Sequence, residues 1–521
     1  MNLSGLGLSP AVLAGAVPAR QFSVGASQLI SACRIGWEQG ARLVGLWASD
    51  ERDRGRGFQL RVALQDDEGL TLLVHGLPEG GSQYPDLSAI FPGANRMQRA
   101  AFDLVGIASE SEDQRSWLRH AAWPADVFPL RRDLGVGDAA QAWPLEQEDY
   151  PFVRVQGDGV HEIPVGPVHA GIIEPGHFRF QIVGEKVLRL EERLGYVHKG
   201  IEKRFESMAL QDGFRLAGRI SGDSTVAFAW AYAQAVEAMA EVPAPARAVW
   251  LRALLLERER IANHLGDLGY LGNDGGFAFG LAQFSRLREN VLRANLAAFG
   301  HRLLMDVVVP GGVARDLAWE HVHAMRDEAE RVTREIAALR AIYDDHAGLQ
   351  DRFRGCGRVS TELATQLGLL GLAARASGIA RDVRCDFPCA PYDALGVVLA
   401  MADGGDVAAR VSVRFDEALE SARLIIAITA ALLDPPASGD VAVAIGDVPV
   451  DRLAIGYVEG WRGPVLVALE SGRDGAIRRC HPHDPSWSNW PVIEHAVIGN
   501  IVPDFPLINK SFNLSYSGQD L

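Results

Sequence analysis

Residues 166–177 read GPVHAGIIEPGH and place two histidines and one carboxylate in a turn rich in glycine and proline. Loops of this kind, just before a strand-like segment, carry functional groups more often than helices do. His169, Glu174 and His177 could relay protons if burial moves their pKa values toward neutrality. The alternative is a structural loop whose polar side chains bond to the backbone.

The segments that follow this loop define the larger part of the chain. Strand-like stretches at 178–183 and 187–190 flank a Gly-Glu turn, and the stretch from Ile455 onward is strand-like again. Helical periodicity fills most of the sequence between them, at 227–240, 244–264, 284–304, 319–343 and 411–433. We therefore expect a mostly α-helical domain with β edges over residues 161–521.

The segments that precede the loop have a different character. Residues 28–130 alternate strand-like stretches, such as 43–48 and 58–64, with a short helix over 99–107 that stops at Gly106. Residues 134–160 lose this periodicity and read as a linker. The predicted fold class is α+β, with a small α/β domain over residues 1–133, the linker, and the helical domain.

Composition limits the classes of function. The chain has 521 residues, which is enough for several hydrophobic cores, and its formal net charge of −15 argues against nucleic-acid binding. The best apolar run, 424–433, is about half the ~20 residues of a spanning helix. No signal peptide is recognisable, and five scattered cysteines do not suggest a disulfide framework. We expect a cytoplasmic protein whose membrane contacts come through other subunits.

Motifs for metals and nucleotides are scarce. The sequence contains no C-x-x-C pair, no Walker loop and no G-x-G-x-x-G between a strand and a helix. Cys385 and Cys389 could form a metal pair or could be two small hydrophobic side chains in a loop. Glu257 and Arg260 have the i, i+3 spacing of an ion pair on one helix face.

Part of the N-terminal domain resembles the small peripheral-arm subunit of respiratory complex I. The resemblance lies in 91–95 (FPGAN), 99–107 (RAAFDLVGI) and 129–133 (PLRRD). The family pattern has glutamates where Gln98 and Ala100 stand, so any role of those acids is absent here.

The second domain resembles the complex I protein descended from nickel–iron hydrogenase large subunits. It is closer to the large subunit of formate hydrogenlyase and hydrogenase-4-type complexes, in which the two domains are fused in this order. The matching stretches are 166–177, 194–202 (LGYVHKGIE), 310–313 (PGGV), 376–384 and 504–521. The resemblance covers nearly the whole chain from about residue 90 and implies a hydrogenase-large-subunit fold.

The resemblance also indicates where nickel–iron ligands would stand. The R-x-C-G-x-C motif of hydrogenases corresponds to residues 219–224, so Ser221 and Ser224 replace its cysteines. We align the C-terminal D-P-C-x-x-C motif with residues 504–509, which puts Pro506 and Asn509 at the other two positions. Hydroxyl and amide groups are poor ligands for a soft metal, so no metal is expected. Ser221, Ser224 and Asn509 would line a vacated metal cavity.

The complex I relative uses the corresponding cavity to bind quinone. The resemblance implies His169 as a hydrogen-bond donor to the quinone headgroup and Glu174 as a proton relay, with His177 in the same E-x-G-H motif. The second quinone contact of that family, a tyrosine, has no counterpart near Gly222.

The implied function is that of a peripheral-arm subunit in a membrane-bound oxidoreductase that couples electron transfer to ion translocation. The chain itself would bind no cofactor. Its expected partners are an iron–sulfur small subunit, antiporter-like membrane subunits and other peripheral-arm subunits at the cytoplasmic face of the plasma membrane. The alternatives are a structural coupling protein without a redox site and a hydrogenase that binds metal in an unforeseen way.

Overall fold

Strands from both ends of the chain build one eight-stranded sheet. The computed structural model describes residues 1–78, 80–120, 123–139, 150–170, 173–434 and 439–521. In these residues the sheet order is β15-β14-β13-β1-β2-β5-β4-β3, so the last three strands of the sequence join the first five. The fifteen strands described are β1 (Ala11–Gly15), β2 (Ala19–Val24), β3 (Arg42–Asp50), β4 (Phe58–Asp66), β5 (Gly69–Leu77), β6 (Gln83–Tyr84), β7 (Ala108–Ser109), β8 (Val160–Val165), β9 (His177–Val183), β10 (Lys186–Arg193), β11 (Val308–Val309), β12 (Gly312–Val313), β13 (Leu453–Glu459), β14 (Pro464–Ser471) and β15 (Ile477–His483).

The junction between the two halves of this sheet is a parallel pairing. β1 pairs with β13 through Ala14 opposite Ala454 and Gly15 opposite Ile455. On one side β13, β14 and β15 are antiparallel. On the other side β2 and β5 are parallel, and β3, β4 and β5 are antiparallel. A separate three-stranded sheet of β8, β9 and β10 carries the loop 166–177 between β8 and β9.

Helices fill most of the sequence between β10 and β13. The helices described are α1 (Ala26–Glu38), α2 (Ala94–Val105), α3 (Val136–Ala139), α4 (Ile201–Phe205), α5 (Gly213–Ala217), α6 (Thr225–Ala240), α7 (Ala246–Asp274), α8 (Ala278–Phe299), α9 (Trp319–Asp345), α10 (Ala347–Phe353), α11 (Thr361–Leu367), α12 (Gly371–Arg375), α13 (Val383–Asp386), α14 (Tyr392–Leu395), α15 (Val407–Leu433), α16 (Ser486–Ala496), α17 (Phe505–Phe512) and α18 (Tyr516–Asp520). The predicted α+β fold class, with its helical second part, is confirmed. In the described residues no helix is both long enough and apolar enough to cross a bilayer.

The ends of helices and strands follow from the residues at those positions. α2 ends at Gly106, which adopts a left-handed conformation at φ +82 and closes the helix, as the sequence predicts. Of the predicted linker 134–160, residues 140–149 lie outside the described residues, while residues 136–139 form α3 and β8 begins at Val160. Residues 171 and 172 of the loop also lie outside the described residues.

Buried charges hold the long helices together. Arg260 and Glu257 of α7 form the predicted i, i+3 ion pair at 3.5 Å, and both side chains are fully buried. Arg260 and Arg375 both contact Glu417 of α15, to which His264 is also hydrogen-bonded at 2.9 Å. Buried charges of this kind must be paired, because an unpaired one costs several kcal/mol. This cluster is therefore a structural tie between α7, α12 and α15.

Candidate functional site

The loop 166–177 is closed on itself and packed against one tyrosine. Gly166 has φ +86, and a Cβ there would overlap the carbonyl oxygen of Gly176. The Gly176 amide donates to the Pro167 carbonyl oxygen at 2.9 Å. A Cβ added to Gly176 would lie 2.6 Å from Cε1 of Tyr516. Glycine at 166 and 176 thus lets the loop fold tightly and lets Tyr516 approach its backbone.

His169 faces this tyrosine. The two ring centroids are 6.2 Å apart, and Phe178 of β9 packs edge-on against His169 at 5.5 Å. Burial lowers the pKa of His169, so the neutral imidazole is favoured. Its Nε2 is buried and has no hydrogen-bond partner in the described residues. The ring therefore presents a free donor or acceptor beside Tyr516.

Tyr516 presents a second buried polar atom. Its hydroxyl is buried, and no group in the described residues meets both the distance and the angle of a hydrogen bond to it. The side chain of Asn509 approaches the hydroxyl. Burial raises the pKa of Tyr516, so the phenol stays protonated. Buried polar atoms without partners are uncommon and costly. The pair His169 and Tyr516 is therefore suited to bind a small molecule with hydrogen-bonding oxygens.

Glu174 and His177, the other two candidate residues of the loop, lie in different surroundings. Oε2 of Glu174 accepts a hydrogen bond at 3.0 Å from the amide of Ser517, next to Tyr516. The ring of His177 lies 3.3 Å from the Gly166 carbonyl oxygen and accepts from Arg179 at Nε2. His177 lines a cavity of about 500 Å³, and neither His169 nor Glu174 is among the residues that line it. The structure therefore brings His169 and Glu174 to α18, and it does not bring His177 there.

Ser221 and Ser224 lie at the start of α6 and meet the C-terminal segment. Ser221 Oγ is 2.8 Å from Ser515 Oγ and donates to Asp223 at 2.8 Å. Arg462 donates twice to Asp223, at 2.8 and 2.6 Å, and once to Ser224 at 3.3 Å. All three serines are buried. A network of hydroxyl, carboxylate and guanidinium groups thus joins the two segments.

The second pair of this cluster is Ser515 and Gly518, which sequence reasoning missed. Residues 221 and 224 are three apart, as are residues 515 and 518, which is the spacing of C-x-x-C. The Gly518 amide donates to Ser515 Oγ at 2.9 Å, so the two positions share one turn. The repeated three-residue spacing of small residues was the available signal. We call Ser221, Ser224, Ser515 and Gly518 the serine cluster.

The assignment of Pro506 and Asn509 to these positions is corrected accordingly. Pro506 is exposed on α17, and Asn509, on the same helix, approaches Tyr516. α17 is capped at its C-terminal end by Asn513, which has φ +48, and the chain reaches Ser221 only after this turn. Asn509 therefore belongs to the surroundings of Tyr516, and Ser515 is the residue that contacts Ser221.

The serine cluster does not fit a nickel–iron centre. Such a centre needs four soft thiolates, whereas this cluster offers three hydroxyls and a glycine. A Cβ added to Gly518 would lie 2.6 Å from Oδ2 of Asp484, so a carboxylate occupies the space beside the fourth position. No group of three or more His, Cys, Asp or Glu side chains in the described parts of the chain is arranged to hold a metal ion. Cys385 and Cys389 belong to no such group.

Three buried carboxyls surround the cluster and bind protons more tightly than usual. Burial raises the pKa of Glu259 to about 8, although the Val226 and Ala227 amides that donate to it oppose the shift. Burial also raises the pKa of Asp484. Burial raises the pKa of Asp520 to about 7. Carboxyls with pKa values of about 7 and 8, as at Asp520 and Glu259, can give up and take back protons near neutral pH.

Two family models match separate parts of the chain. Residues 22–139 match the 30 Kd subunit of respiratory-chain NADH dehydrogenase, and residues 274–448 match its 49 Kd subunit. These matches agree with the two regions of resemblance in the sequence.

Curated proteins and a solved structure extend the similarity over most of the chain. Formate hydrogenlyase subunit 5 of Escherichia coli K12 is 30% identical over 491 residues, 93% of this chain and 85% of that protein. Hydrogenase-4 component G of the same organism is 30% identical over 480 residues, 91% of this chain and 83% of that protein. An NADH-quinone oxidoreductase protein of Phocaeicola vulgatus is 28% identical over 412 residues, 75% of this chain and 78% of that protein. A protein in the structure of the membrane-bound sulfane sulfur reductase, an archaeal respiratory membrane complex, superposes with a TM-score of 0.66 at 25% identity, over 70% of this chain and 99% of its own length.

Proposed function

Because this chain belongs to the family of formate hydrogenlyase subunit 5 and hydrogenase-4 component G, we propose that it is a peripheral-arm subunit of a membrane-bound oxidoreductase of the complex I-like or hydrogenase-4-like type. In this proposal it couples electron transfer to ion translocation without a nickel–iron centre. The serine cluster supports the second part, since its donors are those of hydrogen bonds and not of soft-metal ligands.

The acceptor in this proposal is a quinone or a related small molecule bound beside His169 and Tyr516, within hydrogen-bond reach of both rings. The observation that carries it is a pair of buried polar atoms on these neighbouring rings: His169 Nε2, which has no hydrogen-bond partner in the described residues, and the Tyr516 hydroxyl, which the side chain of Asn509 approaches. A quinone has an oxygen to accept a hydrogen bond from each ring and an apolar face to pack on Phe178. Glu174, bonded to the next residue of α18, would supply protons.

The same loop presents a surface to which a partner protein could bind in this proposal. Val168 is 83% exposed and Ile173 is 41% exposed, so the loop presents apolar side chains beside the candidate site. Such side chains gain stability when a partner protein buries them. An iron–sulfur small subunit that binds here would deliver electrons from its cluster, and antiporter-like membrane subunits would attach the assembly to the cytoplasmic face of the plasma membrane. The chain itself would bind no cofactor.

Substitution of the two rings tests the acceptor site. We expect His169→Phe and Tyr516→Phe each to lower quinone reduction by ~100-fold, because each removes one hydrogen-bond donor to the acceptor. The measurement is reduction of decylubiquinone by the purified complex with a reduced viologen as electron donor. His161→Ala, at an exposed histidine of β8, is the control and should keep the wild-type rate. Wild-type rates in both ring variants would exclude this site.

A structural coupling protein without a redox site is the second candidate, and one observation favours it. The groups of Arg462, Asp223, Ser221 and Ser515 satisfy one another across the serine cluster, as a purely structural tie would. In that case the ring variants would leave both electron transfer and ion pumping unchanged. A hydrogenase is the third candidate, and it requires stoichiometric nickel and hydrogen turnover in the purified complex.

A further inference from the structure

A small cavity lies where the two end strands of the eight-stranded sheet approach each other. β3 and β15 stand at opposite ends of the sheet order, and among the described residues no backbone ladder joins them. Side chains join them instead, since Arg479 donates to the Ala48 carbonyl oxygen at 3.2 Å and Trp47 stacks on His481. Residues of α2 also line this gap, and the cavity within it has a volume of about 20 Å³. The cavity is therefore bounded by β3, β15 and α2.

Three aromatic side chains in the wall of this cavity carry buried polar atoms without partners. They are His481 and His483 of β15 and Trp487 of α16, which are exposed by 5%, 2% and 4%, respectively. Within the part of the chain that the structure describes, His481 Nε2, both ring nitrogens of His483 and the indole nitrogen of Trp487 have no hydrogen-bond partner. The ring centroids are 5.7 Å apart for His481 and His483, and 6.1 Å apart for His483 and Trp487. Native proteins rarely leave several such atoms side by side without a partner.

The unpartnered atoms include both donors and acceptors. Oε1 of Glu202 lies 2.8 Å from His481 Nδ1 and 2.7 Å from a guanidinium nitrogen of Arg479. Because a carboxylate can only accept, Nδ1 of His481 carries a proton, and Nε2 of the neutral ring is an acceptor. The Trp487 indole is a donor, and a neutral His483 offers one donor and one acceptor. Burial lowers the pKa of both histidines, which favours these neutral forms.

One water molecule matches this set of atoms. Water donates two hydrogen bonds and accepts two, and a buried water needs a cavity of ~10–15 Å³. The volume of about 20 Å³ meets this requirement and leaves no room for a larger molecule. With hydrogen bonds of ~2.9 Å, one water can join two atoms up to ~5.8 Å apart, a span comparable with the spacing of the three rings.

We propose that the cavity bounded by β3, β15 and α2 is a binding site for one water molecule, which His481, His483 and Trp487 hold. The water donates to His481 Nε2, accepts from the Trp487 indole, and pairs with a ring nitrogen of His483. It thereby fixes the tautomers of both histidines and ties β15 to α16 beside the ends of the sheet. This inference is independent of the quinone site and of the proposed function.

A high-resolution density map of the purified protein tests the site directly. We expect a water peak within ~3.2 Å of both His481 Nε2 and the Trp487 indole nitrogen. A map that shows other buried waters but no peak at this position would overturn the proposal, as would density for a larger molecule.

Resonance Raman spectroscopy of the full-length chain tests the site in solution, because the tryptophan spectrum reports whether the indole N–H is hydrogen-bonded. The difference between the wild type and Trp487→Phe should show a hydrogen-bonded indole. Trp123→Phe supplies the reference, since the Trp123 indole donates to the Val127 carbonyl oxygen at 2.7 Å. A Trp487 difference spectrum of an unbonded indole would contradict the proposal.

A cavity-filling variant separates the water from any other partner of the indole. Ala101 of α2 lines the cavity, and Ala101→Val should displace the water. In this background the Trp487 difference spectrum should change to that of an unbonded indole, while the Trp123 difference spectrum stays the same. A hydrogen-bonded Trp487 signal that survives in Ala101→Val would assign the bond to another group and refute the site. Should Ala101→Val fail to fold, the density map and the Trp487 difference spectrum of the wild type decide the question.

Discussion

At the scale of single residues, small polar side chains mark the meeting point of two segments. Serine retains the small size of cysteine and replaces a soft ligand with a hydrogen-bonding hydroxyl. Ser221 and Ser515 use these hydroxyls to contact each other at 2.8 Å, and Arg462 neutralises Asp223 beside them. A hydrogen bond and an ion pair therefore join the two segments at the serine cluster.

The Arg462 ion pair should contribute strongly to stability. Arg462→Met leaves Asp223 without its cation, with the Ser221 hydroxyl still donating to it. We expect a loss of ~2 kcal/mol in the free energy of unfolding, below the range for fully buried pairs because the Asp223 side chain is 35% exposed. The matched control is Arg219→Met, which breaks an exposed ion pair between Arg219 and Asp306. It should lower the free energy of unfolding by less than ~1 kcal/mol. Urea denaturation measures both. Equal losses in the two variants would contradict the structural role assigned to Arg462.

At the scale of elements, the long helices and strands follow the periodicity of the sequence, and the site depends on the loop between β8 and β9. The predicted helix over 319–343 is α9 (Trp319–Asp345), and the predicted strand over 178–183 is β9 (His177–Val183). These elements are set by local patterns of apolar side chains. The loop has no such pattern, and its shape depends on close contacts with α18.

The approach of this loop to Tyr516 should tolerate no side chain at Gly176. In Gly176→Ala the new Cβ would lie 2.6 Å from the Tyr516 ring and 3.1 Å from Leu194, so we expect a loss of ~1–3 kcal/mol in unfolding free energy. Displacement of Tyr516 should also lower quinone reduction. Gly76→Ala, in β5 with no atom within 4 Å of its Cβ, is the control and should change neither property. A fully stable and active Gly176→Ala protein would show that the loop adapts freely.

At the scale of the whole molecule, the two predicted domains share one sheet. β1 pairs with β13, and β3 lies at the far end of the sheet, yet its Trp47 stacks on His481 of β15 with ring centroids 4.5 Å apart. The ring of His481 is also hydrogen-bonded to Glu202 at 2.8 Å. The N-terminal and C-terminal strands are therefore parts of a common core, although the sequence suggests a separate domain at each side of a linker.

This junction should make stability depend on pH. Burial lowers the pKa of His481 and the pKa of His483. Glu202 raises the pKa of His481, whereas the positive charges of Arg479 and Arg61 lower it further. The unfolded chain therefore takes up protons at a higher pH than the folded chain does, and stability should fall as the pH drops below about 6.5. Urea denaturation at several pH values measures this slope.

The matched variant for the junction is His483→Leu, which removes one titrating ring. It should flatten the dependence of unfolding free energy on pH below about 6.5, whatever its effect at neutral pH. An unchanged slope in this variant would assign the acid sensitivity to other groups.

The sequence by itself determined the fold class, most of the long helices and strands and the absence of cysteine ligands, and it predicts a site at the loop with His169 and Glu174. Local periodicity and residue chemistry carry that information, because they act over a few neighbouring positions. Only the tertiary structure decided that Ser515 and Gly518 complete the cluster, that Tyr516 faces His169, that His177 points elsewhere and that strands from both ends share a sheet. The physical reason is that these contacts join residues hundreds of positions apart, and packing of the whole chain, not local pattern, sets which of them meet.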